Sequence, residues 1–185
     1  MSKNYVIGQD GKLPWDLPTE RKHFVRMTTD KVLIIGRKTF EERPSRSHIR
    51  HCAHCIVVSK SMPETTADDG EHSPPVTVAR SFPEALQLAR EIIEEIDSRG
   101  SSCWVAGGAR LYHEALLHPS STALVLSVVD TQVPDKHSNG SHLDVVRFPQ
   151  KYRWDNKYRE ESRQDVSDDG INFSIHTFQR LKGLR

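Results

Sequence analysis

Val32-Leu33-Ile34-Ile35 is apolar at every position and runs into Gly36. A strand with one face in water alternates apolar and polar residues, so an unbroken run points to a strand buried on both faces. Cys55-Ile56-Val57-Val58-Ser59 is a second run of this kind, and Val76-Thr77-Val78-Ala79, Cys103-Trp104-Val105-Ala106 and Ala123–Val129 follow. Helical patterns lie between them. Leu17, Glu20, Phe24 and Met27 recur at helical spacing, with Pro18 suited to a first turn. Ser81-x-x-Glu84 is a capping box that opens a helix with the apolar stripe Ala85, Leu86, Ala89, Ile92, Ile93 and Ile96. Leu111, Ala115 and Leu116 mark another helix. Strands joined through helices need crossovers, which build parallel sheets. The C-terminal part differs: Tyr152–Glu160 and Phe173–Phe178 alternate apolar and polar residues around Asp168-Asp169-Gly170, as an antiparallel pair does. The expected fold class is therefore α/β. It has a mixed, mostly parallel central sheet flanked by helices and an antiparallel C-terminal hairpin, all in a single domain over residues 1–185.

Composition narrows the function classes. The chain of 185 residues carries 26 basic and 25 acidic residues, a net charge of +1, and no long basic run. A partner bound through a phosphate backbone, such as nucleic acid, is not expected. No apolar run approaches the roughly 20 residues of a membrane-spanning helix, and Met1–Gly8 is too short and polar for a signal peptide. A cytoplasmic protein, without membrane contact and working as a monomer, is expected. Three cysteines fit a reducing compartment. Cys52 and Cys55 form a C-x-x-C among His48, His51 and His54, but no second pair completes a zinc tetrahedron. This stretch reads as a His-rich loop entering a strand, with no metal. Pro63–Pro75 and Pro134–His142 read as surface insertions.

Three strand ends offer donors and cations. The first apolar run ends in Gly36-Arg37-Lys38-Thr39 and the fourth in Gly107-Gly108-Ala109-Arg110, while the second leads into Ser59-Lys60-Ser61. Free backbone N–H groups at helix starts attract anions, and glycines let a pyrophosphate approach the backbone. In α/β sheets ligands sit at the carboxyl ends of strands. Each signal alone also fits a plain turn or a solvated helix start. Together they favour a dinucleotide, and the basic residues suit the extra phosphate of NADP. The standard G-x-G-x-x-G fingerprint is absent.

The segment Ile7–Pro18 reads as a flexible loop, with a turn at Gly11 and an apolar lip at Leu13-Pro14-Trp15, leading into a helix. Glu20 lies one turn before Phe24 on that helix. A carboxylate on an apolar face is costly unless something binds it, and an N–H-rich heterocycle would. A first-turn Glu also complements the helix dipole with no ligand. Periodicity leaves both readings open.

The order Ile7-Gly8…Gly11…Leu13-Pro14-Trp15-x-Leu17-Pro18-x-Glu20…Phe24, then Gly36-Arg37-Lys38-Thr39-Phe40-Glu41, Ile56-Val57-Val58-Ser59, Trp104–Tyr112 and Phe148-Pro149 resembles the dihydrofolate reductase family over nearly the whole chain. The resemblance implies NADPH-dependent reduction of 7,8-dihydrofolate to tetrahydrofolate, with hydride to C6 of the pterin and a proton to N5. Glu20 matches the family acid that holds the pterin's 2-amino group and N3. Trp15 would hold an ordered water, and Ser127 matches a hydroxyl that bonds the acid. Ile7, Leu13, Phe24, Ala106 and Tyr112 match positions that line the substrate. Gly11, Lys12, Gly36, Arg37, Lys38, Thr39, Ser59, Lys60, Gly107, Gly108, Ala109, Arg110 and Leu111 match positions around the cofactor.

Three departures from the family pattern stand out. Ala53 occupies the place, six residues before Ser59, of an arginine that grips the substrate's glutamate carboxylate, and Arg50 or His51 is the expected substitute. Asp144 lies four residues, not three, before Phe148-Pro149. Members begin with an apolar central strand upstream of Ile7, whereas Met1-Ser2-Lys3-Asn4 reads as the loop after it. That first strand is expected to be missing here and encoded before Met1. Two rival readings share the phosphate-binding strand ends: a riboflavin-pathway reductase of the same fold, and a non-catalytic relative that binds without turnover.

Overall fold

The computed structural model of the chain describes residues 1–42, 46–63, 73–96, 102–137, 140–151 and 154–182. In chain order its elements are β1 (Val6–Gln9), α1 (Pro18–Thr28), β2 (Val32–Gly36), α2 (Arg37–Glu41), β3 (His54–Val58), β4 (Val76–Ala79), α3 (Phe82–Glu95), β5 (Cys103–Val105), α4 (Ala109–Leu117), β6 (Ala123–Val129), β7 (Val145–Arg147), β8 (Tyr158–Asp168) and β9 (Ile171–Arg180). They fall into two compact units, Lys22–Leu111 and Met1–Arg21 with Tyr112–Arg185.

In the Lys22–Leu111 unit, four parallel strands lie in the order β4-β3-β2-β5. Successive residues of a strand point to opposite faces. Leu33, Ile35, Cys55 and Val57 build one face with Phe40, Ile49 and Cys52, and Phe24, Trp104 and Ala106 pack against that cluster. Val32, Ile34 and Ile56 face the other way and are equally buried. The helix α3 packs on β2, β3 and β4 through a stripe that includes buried Ala85 and Ala89. Coverage of both faces is why β2 and β3 are apolar without alternation. Each such side chain contributes about 1.5–3 kcal/mol when fully buried. The capping box holds in part: Ser81 Oγ accepts from Glu84 N–H at 3.3 Å, but the Glu84 carboxylate accepts from Arg80 N–H, at 2.8 Å, one residue earlier than the motif requires.

Cys52 and Cys55 are both buried in this core. Burial pushes the Cys52 thiol up to about 12 and the Cys55 thiol well above its ordinary value. Among the described residues no group of three or more His, Cys, Asp or Glu is placed to hold a metal. The insertion expected at 63–75 falls largely on residues outside those described, as do two residues of the one expected at 134–142. No helix among the described residues is long and apolar enough to cross a membrane.

In the other unit, β6-β9-β8 form one antiparallel sheet and β1 pairs antiparallel with β7. The expected loop from Ile7 therefore starts as a strand. Its turn is real: Asp10 (φ +50°) and Gly11 (φ +76°) reverse the chain between Gln9 and Lys12, whose backbones exchange bonds of 2.8 and 3.0 Å. Met1-Ser2-Lys3 is likewise not loop. Ser2 bridges Val129 in parallel, Val129 N–H donates to the Met1 carbonyl and Lys3 N–H to the Thr131 carbonyl. Ser2 is fully buried, and its hydroxyl donates to Asn4 Oδ1 and accepts from Val6 N–H, which fixes this segment.

The hairpin is longer than its alternation suggests. Its expected start at Tyr152 lies outside the described residues; β8 begins at Tyr158 and runs through exposed Arg159–Asp165 to Asp168. Among the described residues β8 pairs only with β9, so most of its side chains meet water and no apolar alternation is imposed. Asp169 (φ +48°) and Gly170 (φ +80°) make the tight turn, the two left-handed positions that a two-residue hairpin demands.

Burial also sets a pH dependence in the Lys22–Leu111 unit. Desolvation lowers the pKa of His51 and of His54, the latter opposed in part by Glu95. A buried neutral ring binds fewer protons folded than unfolded, so its contribution is present above the ordinary histidine value and lost as pH falls through it. We expect Tm to fall between about pH 7.5 and about pH 5.5, and His51→Gln to shrink that fall. Thermal melts of both proteins at the two pH values check this; an unchanged drop in the variant would remove His51 as a contributor.

Candidate active site

The Lys22–Leu111 unit brings its strand ends together through backbone. Gly36 N–H donates to the Gly107 carbonyl at 2.8 Å, which joins the ends of β2 and β5. A Cβ on Gly36 would lie 3.6 Å from Gly108 N and 3.7 Å from Gly107 O. Thr39, on α2, lies over the pair: a Cβ on Gly107 would stand 3.1 Å from Thr39 Oγ1, and one on Gly108 would stand 3.6 Å from it. Gly107 has φ +127°, a conformation that side chains rarely adopt. Gly107-Gly108 is a cis peptide. Directly after it α4 begins at Ala109, and the first N–H groups of a helix have no partner within it. Arg37, Lys38 and Arg110 are exposed around these turns, whereas Leu111 is buried and meets Gly36.

The third strand end is organised by Ser59. Its Oγ accepts from Ser61 N–H at 3.3 Å and Met62 N–H at 3.0 Å, so the hydroxyl shapes the Ser59-Lys60-Ser61 turn. Arg37 reaches that turn, donating to Ser61 Oγ at 3.2 Å. Arg80, which sequence reasoning missed, donates to the Ser59 and Met62 carbonyls at 3.1 and 2.6 Å. A basic residue directly after the β4 run was the signal. The cradle fits a diphosphate group: backbone without side chains, a helix start, a hydroxyl and several cations.

Within the same core, Phe24 and Ala106 pack on the β2–β3 cluster. His51 stands edge-on to Phe24, with ring centroids 5.8 Å apart. Thr28 Oγ donates to the Phe24 carbonyl at 2.7 Å and sits 2.6 Å from His51 Nε2, so the ring donates to the hydroxyl. His51 is thereby engaged with Thr28, and its burial lowers its pKa, which disfavours the charged ring. Arg50 is exposed.

The other unit holds the remaining candidates on two faces of one sheet. Ser127 pairs with Ile175 across β6–β9, and cross-strand partners share a face. Ile175 belongs to the cluster of Leu17, Val129 and Phe173 against which Trp15 packs. Ile7 and Tyr112 pack instead on the cluster of Leu116, Leu126, Phe148, Trp154, Tyr158 and Phe178. Lys12 and Leu13 are exposed at the lip. Glu20 is half-buried in the first turn of α1. The Met1 ammonium donates to the Ser127 carbonyl. Burial pushes that ammonium down to about 6, while the Glu20 carboxylate pulls it up.

A family model described as dihydrofolate reductase matches residues 1–180. The chain belongs to the dihydrofolate reductase family. It is 35% identical to a dihydrofolate reductase of Enterococcus faecium over 70% of this chain and 68% of that one. Against the dihydrofolate reductase of Mus musculus it is 32% identical over 97% and 94%, and against that of Rattus norvegicus 27% identical over the same shares. Membership makes it an oxidoreductase that reduces dihydrofolate to tetrahydrofolate.

The Gly107 geometry yields a prediction. Gly107→Ala forces a side chain into positive φ and against Thr39, which should cost about 1–3 kcal/mol. The variant should melt several degrees lower; an unchanged melting curve would mean that the backbone at this position and Thr39 both relax to take the side chain.

Proposed function

We propose that the chain works as one NADPH-dependent dihydrofolate reductase domain. The observation that carries this reading is Glu20, a half-buried carboxylate in the first turn of α1, next to the Leu17 and Trp15 that pack on one apolar cluster. NADPH, when bound, supplies the hydride that goes to C6 of the pterin. Its phosphates are taken by the first-turn N–H groups of α4, by Arg37, Lys38 and Thr39, by the Ser59-Lys60 turn and by Arg110, with Arg80 bracing that turn. Gly11 and Lys12 belong to the cofactor side as well. Glu20 accepts from the pterin's 2-amino group and N3, which orients the ring and favours proton delivery to N5 from a water that Trp15 holds. Ser127 steadies the acid. Phe24, Ala106, Ile7, Leu13 and Tyr112 give the pterin and its benzoyl ring apolar contact. Arg50 takes the glutamate carboxylate in place of an arginine at Ala53. We propose further that the protein acts as a cytoplasmic monomer whose partner is dihydrofolate and not nucleic acid; the near balance of 26 basic against 25 acidic residues supports the last point.

Replacing Glu20 with Gln keeps its shape and removes its charge. General acid–base assistance is worth roughly 10²–10⁴-fold, so NADPH oxidation with dihydrofolate should slow by that factor while NADPH affinity holds. Near-normal turnover in Glu20→Gln would refute the assignment and leave a non-catalytic binder as the better reading.

The phosphate and carboxylate assignments separate by ligand. Arg37→Ala should weaken NADPH by about 1.5–3 kcal/mol, with dihydrofolate affinity unmoved. Arg50→Ala should weaken dihydrofolate and spare a pterin that lacks the glutamate. Titration of the three ligands against both variants checks this, and an Arg50→Ala protein with normal dihydrofolate affinity would return the carboxylate to another residue.

A further inference from the structure

The helix that carries Glu20 starts without a cap of its own. Arg21 N–H donates to the Leu17 carbonyl at 3.0 Å, which makes Leu17 the capping position. Leu17 is 3% exposed and has no side-chain acceptor. Leucine stands there because the apolar cluster needs it, although Ser, Thr, Asp and Asn are the residues that cap. Pro18 has no N–H, so the first free donor is Thr19. The acceptor it finds comes from 149 residues away: Thr19 N–H donates to Asp168 Oδ2 at 2.6 Å. Asp168 ends β8, directly before the Asp169-Gly170 turn. Val166, two residues earlier, packs against the cluster that holds Leu17 and Trp15. The hairpin tip therefore grips the Trp15–Glu20 segment twice, once through apolar contact and once through a carboxylate on its helix start.

We propose that Asp168 is a positioning residue of the reductase, which sets the first turn of α1 and through it the direction of the Glu20 side chain. This rests on the reading of Glu20 as the pterin-binding acid. The contact of Asp168 on this segment is with the backbone N–H of Thr19, so it acts through α1. A carboxylate cap is a charge-assisted hydrogen bond that also favours the positive end of the helix. Without it, the turn that holds Glu20 is the part of α1 free to fray, because first-turn N–H groups have no partner within the helix.

The test is single-turnover NADPH oxidation with saturating dihydrofolate, alongside NADPH titration and a thermal melt. Asp168→Ala should slow the hydride step about threefold to tenfold, the range that follows from the loss of a cap. NADPH affinity should not change. Asp168→Asn, which keeps an acceptor oxygen, should recover to within about twofold. Thr19→Pro removes the same bond from the donor side without breaking a bond inside the helix, since first-turn N–H groups have no partner there, and should match Asp168→Ala. If Asp168→Ala does not fold, Thr19→Pro decides alone. Introduced into Glu20→Gln, either change should cost nothing more, because the acid through which it acts is gone. The proposal falls if Asp168→Ala and Thr19→Pro leave the hydride step unchanged, if Asp168→Asn is as slow as Asp168→Ala, or if the loss persists in full on the Glu20→Gln background. A merely structural role would lower Tm in each variant and show no such dependence on Glu20. The two readings fail separately. A Glu20→Gln protein with normal turnover sinks the acid, and Asp168 with it. An impaired Glu20→Gln beside a fast Asp168→Ala sinks Asp168 alone.

Discussion

One backbone hydrogen bond, from Gly36 N–H to the Gly107 carbonyl at 2.8 Å, governs the strand-end turns of the Lys22–Leu111 unit. It forms only because β2 and β5 lie side by side and parallel, with Val32 to Ile34 paired to Cys103 to Val105. Parallel pairing in turn requires both faces of the sheet to be covered, here by α3 on one side and the Phe40–Ile49–Cys52 cluster on the other. Burial of apolar side chains thus sets the register of the strands. The register brings two glycine turns within hydrogen-bonding distance, and those turns leave helix starts and Thr39 where phosphates can be met. The chemistry at the strand ends is downstream of the core.

This ordering explains what the sequence could reveal. Unbroken runs such as Val32–Ile35 and Cys55–Val58 report strands buried on both faces, because every position answers to the same core. The glycines were legible for a related reason: Gly11 and Gly107 occupy positive φ, which few other residues tolerate. Leu13-Pro14-Trp15 could be read as an apolar lip ahead of the helix that carries Glu20, whereas spacing left the role of Glu20 itself open.

What stayed hidden depends on distance along the chain or on solvent. Asp168 caps α1 across 149 residues, and no local pattern around either partner announces it. Arg80 is a lone basic residue until the fold turns it onto the Ser59 and Met62 carbonyls. His51 was a plausible cation in the sequence; its contact with Thr28 and a burial that disfavours its charged form come only from the fold. The extent of β8 was illegible because water accepts almost any polar side chain, so an exposed strand leaves no period to read.

That same exposure bears on how copies of the chain meet. A long strand with a free edge is a template on which a second molecule can add a strand of its own. Among the described residues, β8 has no partner on its outer edge, which is eleven residues long. Its side chains include Arg159, Glu160, Glu161, Arg163 and Asp165, and its ladder with β9 slips between Glu160 and Ser162. Strand-to-strand stacking between molecules would bring charges together and would have to match that irregularity. The polar run that obscured β8 to pattern reading is thus also the kind of charged, irregular edge that disfavours strand addition, and a regular, apolar β8 would lose both features.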